Sequence, residues 1–125
     1  MATEFTTAEI SRMTGASLRQ LQWWDEQKLI VPRREGHWRI YSDADALAIK
    51  LLLALRVRGL TPQSAKRVLS AVRKAKAWDR HIVTDGHQVQ ILGKGDVYTS
   101  VMASHRPVVC VSVGDLLIPA SIENS

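Results

Sequence analysis

The chain has 125 residues, of which 46% are hydrophobic and 23% charged. That is the balance of one folded domain, or one domain with a small appendage, and it excludes a disordered chain or a multidomain enzyme. No apolar run approaches the roughly 18 residues that cross a bilayer, and Met1 to Ile10 lacks a basic stretch followed by an apolar core. No membrane partner, no signal peptide and a cytoplasmic location are therefore expected. The lone Cys110 excludes a disulfide framework and a cysteine-built metal cluster. The net charge of +5 is unevenly placed: residues 1–78 hold 14 Lys/Arg against 7 Asp/Glu, and residues 79–125 hold 3 against 5. A basic portion joined to a mildly acidic one suggests a polyanion partner at one end, although a solvated basic surface would show the same charge.

Punctuation along residues 1–78 is dense. Thr6-Thr7-Ala8-Glu9 has the spacing of a capping box, in which Thr6 accepts from a helix amide and Glu9 reaches back. The helix it opens places Ile10 and Met13 inward and must stop near Gly15. Ser17 with Gln20 is a second capping box, opening a helix to about Gln27 with Leu18, Leu21 and Trp24 as the buried stripe. Leu29 to Pro32 reads as extended, because a residue before proline avoids the helical region. A basic loop, Arg33 to Trp38, separates it from a second extended piece, Arg39 to Tyr41, giving a hairpin. Ser42 with Asp45 starts a third helix, buried on more than one side through Leu47, Leu51 and Leu55, which ends at Gly59. Thr61-Pro62 opens a fourth, with Ala65, Val68, Leu69 and Val72 inward and Lys66, Arg67, Arg73, Lys74 and Lys76 wet.

After Trp78 the period changes. His81 to Thr84, the turn Asp85-Gly86, and Gln88 to Leu92 read as a strand pair. Gly93 to Asp96 reads as a turn and Val97 to Met102 as a strand. Pro107 to Val113 reads as a central buried strand with Cys110 in the core, and Gly114-Asp115 as the start of a short helical turn. The expected fold is α+β: a winged helix-turn-helix of four helices and a hairpin over residues 1–78, then a small β-rich segment over 79–125.

Two short capped helices around a glycine turn, followed by a basic hairpin, leave the outer face of the second helix free for a major groove. Arg19, Gln20, Gln22 and Trp23 occupy that face, and Arg and Gln are the side chains able to pair bidentately with base edges. An ordinary solvated amphipathic helix fits the same pattern. The runs Phe5 to Gly15, Ser17 to Glu26, Leu29 to Pro32, Arg39 to Asp45 and Leu55 to Thr61 resemble, in order and spacing, the DNA-binding domain of the MerR family of bacterial transcription regulators.

The resemblance implies roles position by position. The family's second helix reads Arg-x-x-Arg-Tyr-Tyr-Asp; Arg19 keeps the first arginine, Gln22 replaces the second, and Trp23-Trp24 replaces the tyrosines. Gln22 gives up a phosphate-attracting charge, and Trp23 keeps an aromatic face without the phenol; Trp24 reads as core. The family hairpin reads Gly-Tyr-Arg-x-Tyr, and here Gly36 lies one residue early before His37-Trp38-Arg39-Ile40-Tyr41. Arg39 matches the backbone-contacting arginine and Tyr41 the tyrosine beside it, with Arg33 and Arg34 adding phosphate attraction. The expected DNA-contact set is Ser17, Arg19, Gln20, Gln22, Trp23, Arg33, Arg34, His37, Arg39 and Tyr41.

The expected function is sequence-specific binding of double-stranded DNA as a transcription regulator, by a homodimer joined through residues 79–125. The DNA-reading half of an antitoxin-like hetero-complex with a protein partner is one alternative, and an architectural or recombination-accessory protein is another. No nucleophile–base pair stands at a recognisable spacing, so no enzyme is expected. His37, His81, His87 and His105 lack a spacing that forces convergence, and Gly93-Lys94-Gly95 lacks the rest of a phosphate loop. No metal and no cofactor are expected.

Overall fold

A computed structural model describes residues 4–78, 80–92 and 109–113. They form an α+β protein with four helices and two small antiparallel sheets. The chain divides into two compact units, residues 1–53 and 54–125.

In the first unit, strand β1 (Glu4–Thr6) leads directly into helix α1 (Thr7–Thr14). Thr6 accepts from the Glu9 amide at 3.2 Å, and Glu9 Oε1 accepts from the Thr6 amide at 2.9 Å. Those bonds to the ionised form hold the Glu9 carboxyl below its ordinary value. Gly15 ends the helix in the left-handed region at φ 85°, donating to the Ser11 carbonyl, a geometry that costs glycine nothing. Ser11 and Thr14 bond the same turn from their side chains, and Ala16 is buried in it. Helix α2 (Leu18–Glu26) starts at the expected second box, Ser17 with Gln20.

Ile10, Leu21 and Trp24 are buried as expected. Met13 and Leu18 are not: they are 50% and 60% exposed. Both sit on the turns nearest Gly15, where each stripe runs out past the helix crossing.

The hairpin is shifted from its expected register. Leu29 to Pro32 is not a strand; the polar segment after it is. Strands β2 (Arg33–Glu35) and β3 (Trp38–Ser42) pair with Arg33 opposite Ile40, Arg34 opposite Arg39 and Glu35 opposite Trp38. Gly36 and His37 form a two-residue turn, with Gly36 at φ 61°. A positive φ at the first central position suits the twist of the flanking strands, which explains the early glycine. Strand β1 adds to the other side of β3, giving the order β1-β3-β2.

Helix α3 (Asp43–Val57) opens with reciprocal Ser42–Asp45 bonds. Its buried positions Ala46, Ala48, Ile49, Leu51, Leu52 and Leu55 spread around much of the helix, as expected, whereas Leu47, also expected inward, is only half-buried. In the second unit, helix α4 (Pro62–Ala75) has Thr61 as N-cap and buries Ala65, Val68, Leu69 and Val72. Strands β4 (His81–Thr84), β5 (Val89–Leu92) and β6 (Val109–Ser112) form a sheet in the order β5-β4-β6.

Among the described residues β4, not the valine-rich β6, is central. Cys110 is exposed rather than core, because alternation puts it opposite in direction to buried Val111. The buried Thr84 hydroxyl donates to the Gln88 carbonyl and accepts from the Gly86 amide, closing the β4–β5 turn. The turns expected at 93–96 and 114–115 and the strand at 97–102 lie outside the described residues.

Lys28 follows α2 at φ 59°, a left-handed geometry that strains a residue with a Cβ. Lys28→Gly should raise the unfolding free energy by about 0.5–1 kcal/mol. Urea denaturation checks this, and a loss of stability would rule out the strain.

Candidate nucleic-acid interface

Helix α2 buries Leu21 and Trp24 and thereby turns Arg19, Gln22 and Trp23 outward. Arg19 is exposed and makes no hydrogen bond or ion pair to another described residue, so its five donors are available. Trp23 is 39% exposed, a partly open aromatic side chain on the same face. The two glutamines differ. Gln20 spends its carbonyl on the Ser17 amide at 2.9 Å, and Ser17 spends its hydroxyl on the Gln20 amide at 3.0 Å. Pairing bidentately with adenine needs both ends of a glutamine amide, so Gln20 and Ser17 are tied to the helix start. Gln22 donates to Glu26 at 3.1 Å across one exposed turn. Such a pair is worth only about 0.2–0.5 kcal/mol, so the Gln22 amide is readily exchanged.

The hairpin's cations are all engaged. Arg33 pairs with Glu4 at 2.8 Å and with Glu35. Arg34 Nη2 and Arg39 Nε both reach Asp25 Oδ2, at 2.7 and 2.9 Å. The Asp25 side chain is only 8% exposed, against 27% for Arg39 and 57% for Arg34. Arg34 and Arg39 are cross-strand partners, and like charges directly opposite repel. Asp25, from α2, supplies the opposing charge and ties the helix to the hairpin. Sequence reading missed this residue because its partners lie 9 and 14 positions away.

His37 is exposed on the turn. Trp38, beside it, is 70% exposed and was not among the expected contacts. Tyr41 lies at 0% exposure and cannot touch a ligand in this state. It occupies the central strand β3, whose pleat turns it inward, so it supports the hairpin from beneath.

The Tyr41 hydroxyl has no hydrogen-bond partner among the described residues. Burial, reinforced by Asp25 and Asp45, raises its pKa above the ordinary value of 10.0, against the opposing pull of Arg39 and Arg34.

Charge is distributed more sharply than by halves. Residues 1–53 hold seven Lys/Arg and seven Asp/Glu, whereas residues 54–78 hold seven Lys/Arg and no acid. Lys66, Arg67 and Lys74 fall on the exposed face of α4, with Arg67 also donating to the Gly86 carbonyl at 3.0 Å. Among the described residues no group of three or more His, Cys, Asp or Glu is placed to hold a metal ion. No described helix is long and apolar enough to cross a membrane.

Two outcomes follow from this geometry. Double-mutant cycles in urea should give the less exposed Asp25–Arg39 pair a coupling of about 1–2 kcal/mol and Asp25–Arg34 about 0.5 kcal/mol; the reverse order would remove Asp25 as the buried anchor of Arg39. For Tyr41, a proton held more tightly when folded means that stability falls as pH rises through and above the unfolded value near 10. Tyr41→Phe should flatten that alkaline decline and leave stability near pH 7 unchanged or up to about 1 kcal/mol higher; thermal unfolding across pH 7–11 reads both.

The family model for MerR helix-turn-helix regulatory proteins matches residues 5–72, and no curated protein matches the chain. That match spans β1 through most of α4, more than half of the sequence, and it contains both capped short helices, their Gly15 turn and the Asp25-anchored hairpin. The chain belongs to the MerR helix-turn-helix family, whose members are DNA-binding regulators of transcription.

Proposed function

We propose that residues 1–78 are a winged helix-turn-helix that reads double-stranded DNA in a sequence-selective way. Helix α2 enters the major groove and the β2–β3 hairpin acts as the wing on the phosphate backbone. The observation that carries this reading is an outer α2 face on which Arg19 and Gln22 hold donors that nothing strong competes for. Arg19 pairs with guanine or phosphate, Gln22 reads a base edge, and Trp23 packs on the groove wall. Arg33, Arg34, His37 and Arg39 meet the backbone. Ser17 and Gln20 position the helix start, and Tyr41 positions β3.

The acid-free stretch 54–78 supplies the sequence-independent part of the attraction, chiefly through the exposed face of α4. Residues 79–125 join two copies, or one copy and a protein partner. A twofold pair would set two α2 helices on half-sites about one helical turn, or a multiple of it, apart. The protein then acts as a cytoplasmic transcription regulator.

The test is selection of a duplex from a random pool, followed by titration of variants on selected and scrambled duplexes. Gln22→Ala should lower selectivity by about 1–3 kcal/mol at one base position, whereas Gln20→Ala should cost stability more than selectivity. Replacing Lys66 and Lys74 with Gln should weaken binding to every duplex and flatten the salt dependence by up to about two phosphate equivalents. If Gln22→Ala changes affinity equally on both duplexes, the base-reading role fails. If no duplex is enriched at all, the whole reading fails.

A further inference from the structure

We infer that Asp25 is a selectivity-determining positioning residue: it holds Arg34 and Arg39 in one fixed pair and halves their combined charge toward phosphate. The inference rests on the DNA reading above and goes beyond it, because Asp25 touches no DNA.

The two guanidiniums share a single carboxylate oxygen, so their separation and direction are set by one atom on α2. Each keeps most of its donors. Arg39 uses only Nε, which leaves both Nη groups; Arg34 uses only Nη2, which leaves Nη1 and Nε. Phosphate can therefore be bound without breaking the bonds to Asp25. The pair presents a net charge of about one instead of two, and the whole unit 1–53 balances at seven of each sign.

A weakly charged backbone contact of fixed geometry favours the register in which α2 also meets its bases. Two unrestrained arginines would instead hold any duplex, because phosphate attraction carries no sequence information. Asp25 thus acts against wrong sequences as much as for the right one.

Asp25→Asn keeps the side-chain volume and one carbonyl acceptor but removes the charge. It should tighten binding to scrambled duplex by about 3- to 10-fold at low salt and steepen the salt slope by about 0.9, one phosphate equivalent. Affinity for the selected duplex should change less, so the selectivity ratio falls. Asp25→Glu, which keeps the charge, should leave the slope at the native value.

A merely structural Asp25 predicts a different result: weaker binding to both duplexes with an unchanged slope, and that outcome overturns the inference while leaving the DNA reading intact. Absence of any duplex binding by the native chain overturns both. A measurement on the native chain guards against an Asp25→Asn variant that fails to fold. The Arg39 Nε–H resonance should stay protected from solvent exchange when the selected duplex is added. Its loss on binding would show that Asp25 lets go, which also overturns the inference.

Discussion

A single carboxylate oxygen decides how the helix and the hairpin of the first unit are aligned. Arg34 and Arg39 stand opposite each other across β2 and β3, an arrangement that a bare two-stranded ribbon would resist by electrostatic repulsion. Asp25 Oδ2 lies within hydrogen-bond distance of both. Because Asp25 is almost fully enclosed, losing its hydration would be costly without at least two charged donors in return. The cost and the return come from different elements, so α2 cannot shift along the hairpin without stranding a buried charge. Tyr41 fits the same frame. Its hydroxyl has no hydrogen-bond partner among the described residues, and its side chain is fully buried.

The local part of this architecture was legible. Each of the four helices opens with a polar residue three positions ahead of its reciprocal or amide partner, and a capping bond depends on nothing further away than one turn. The buried stripe of α4 was legible for a similar reason: four apolar positions at helical spacing face one way, and cations fill the rest. Where periodicity reaches the edge of a helix crossing it stops being informative. Met13 and Leu18 continue their stripes by spacing but have nothing to be buried against.

Long-range features were the ones missed. Strand β1 is three residues long and exists only because β3, more than thirty positions later, offers it an edge. The strand register around Gly36-His37 was misplaced because an Arg-Arg-Glu segment, charged at every position, has no apolar face from which to recognise a strand. Asp25 matched the family pattern by position, yet its role depends on two partners that only folding brings near. Cys110 illustrates the reverse error: a run of valines suggested a strand covered on both faces, yet Cys110 is exposed beside buried Val111.

The separation of charge along the chain bears on how such a protein can be both quick to find DNA and choosy about it. Phosphate attraction is long-ranged, additive and blind to sequence, so it belongs on a surface that need not be held in register. The stretch 54–78, with seven cations and no acid, has that character. Base reading needs the opposite: short-ranged contacts of fixed direction, on a unit whose own net charge does not hold it to every phosphate it passes. On the proposed reading, residues 1–53 would meet that need: their seven cations are matched by seven acids, with several of the pairs placed across strand and helix contacts. On the same reading, Gln22 in place of a family arginine would act in the same direction, exchanging an unselective charge for an amide whose two ends must both be satisfied. In this reading, the neutrality of the first unit is what makes the sequence-blind attraction of the basic stretch tolerable.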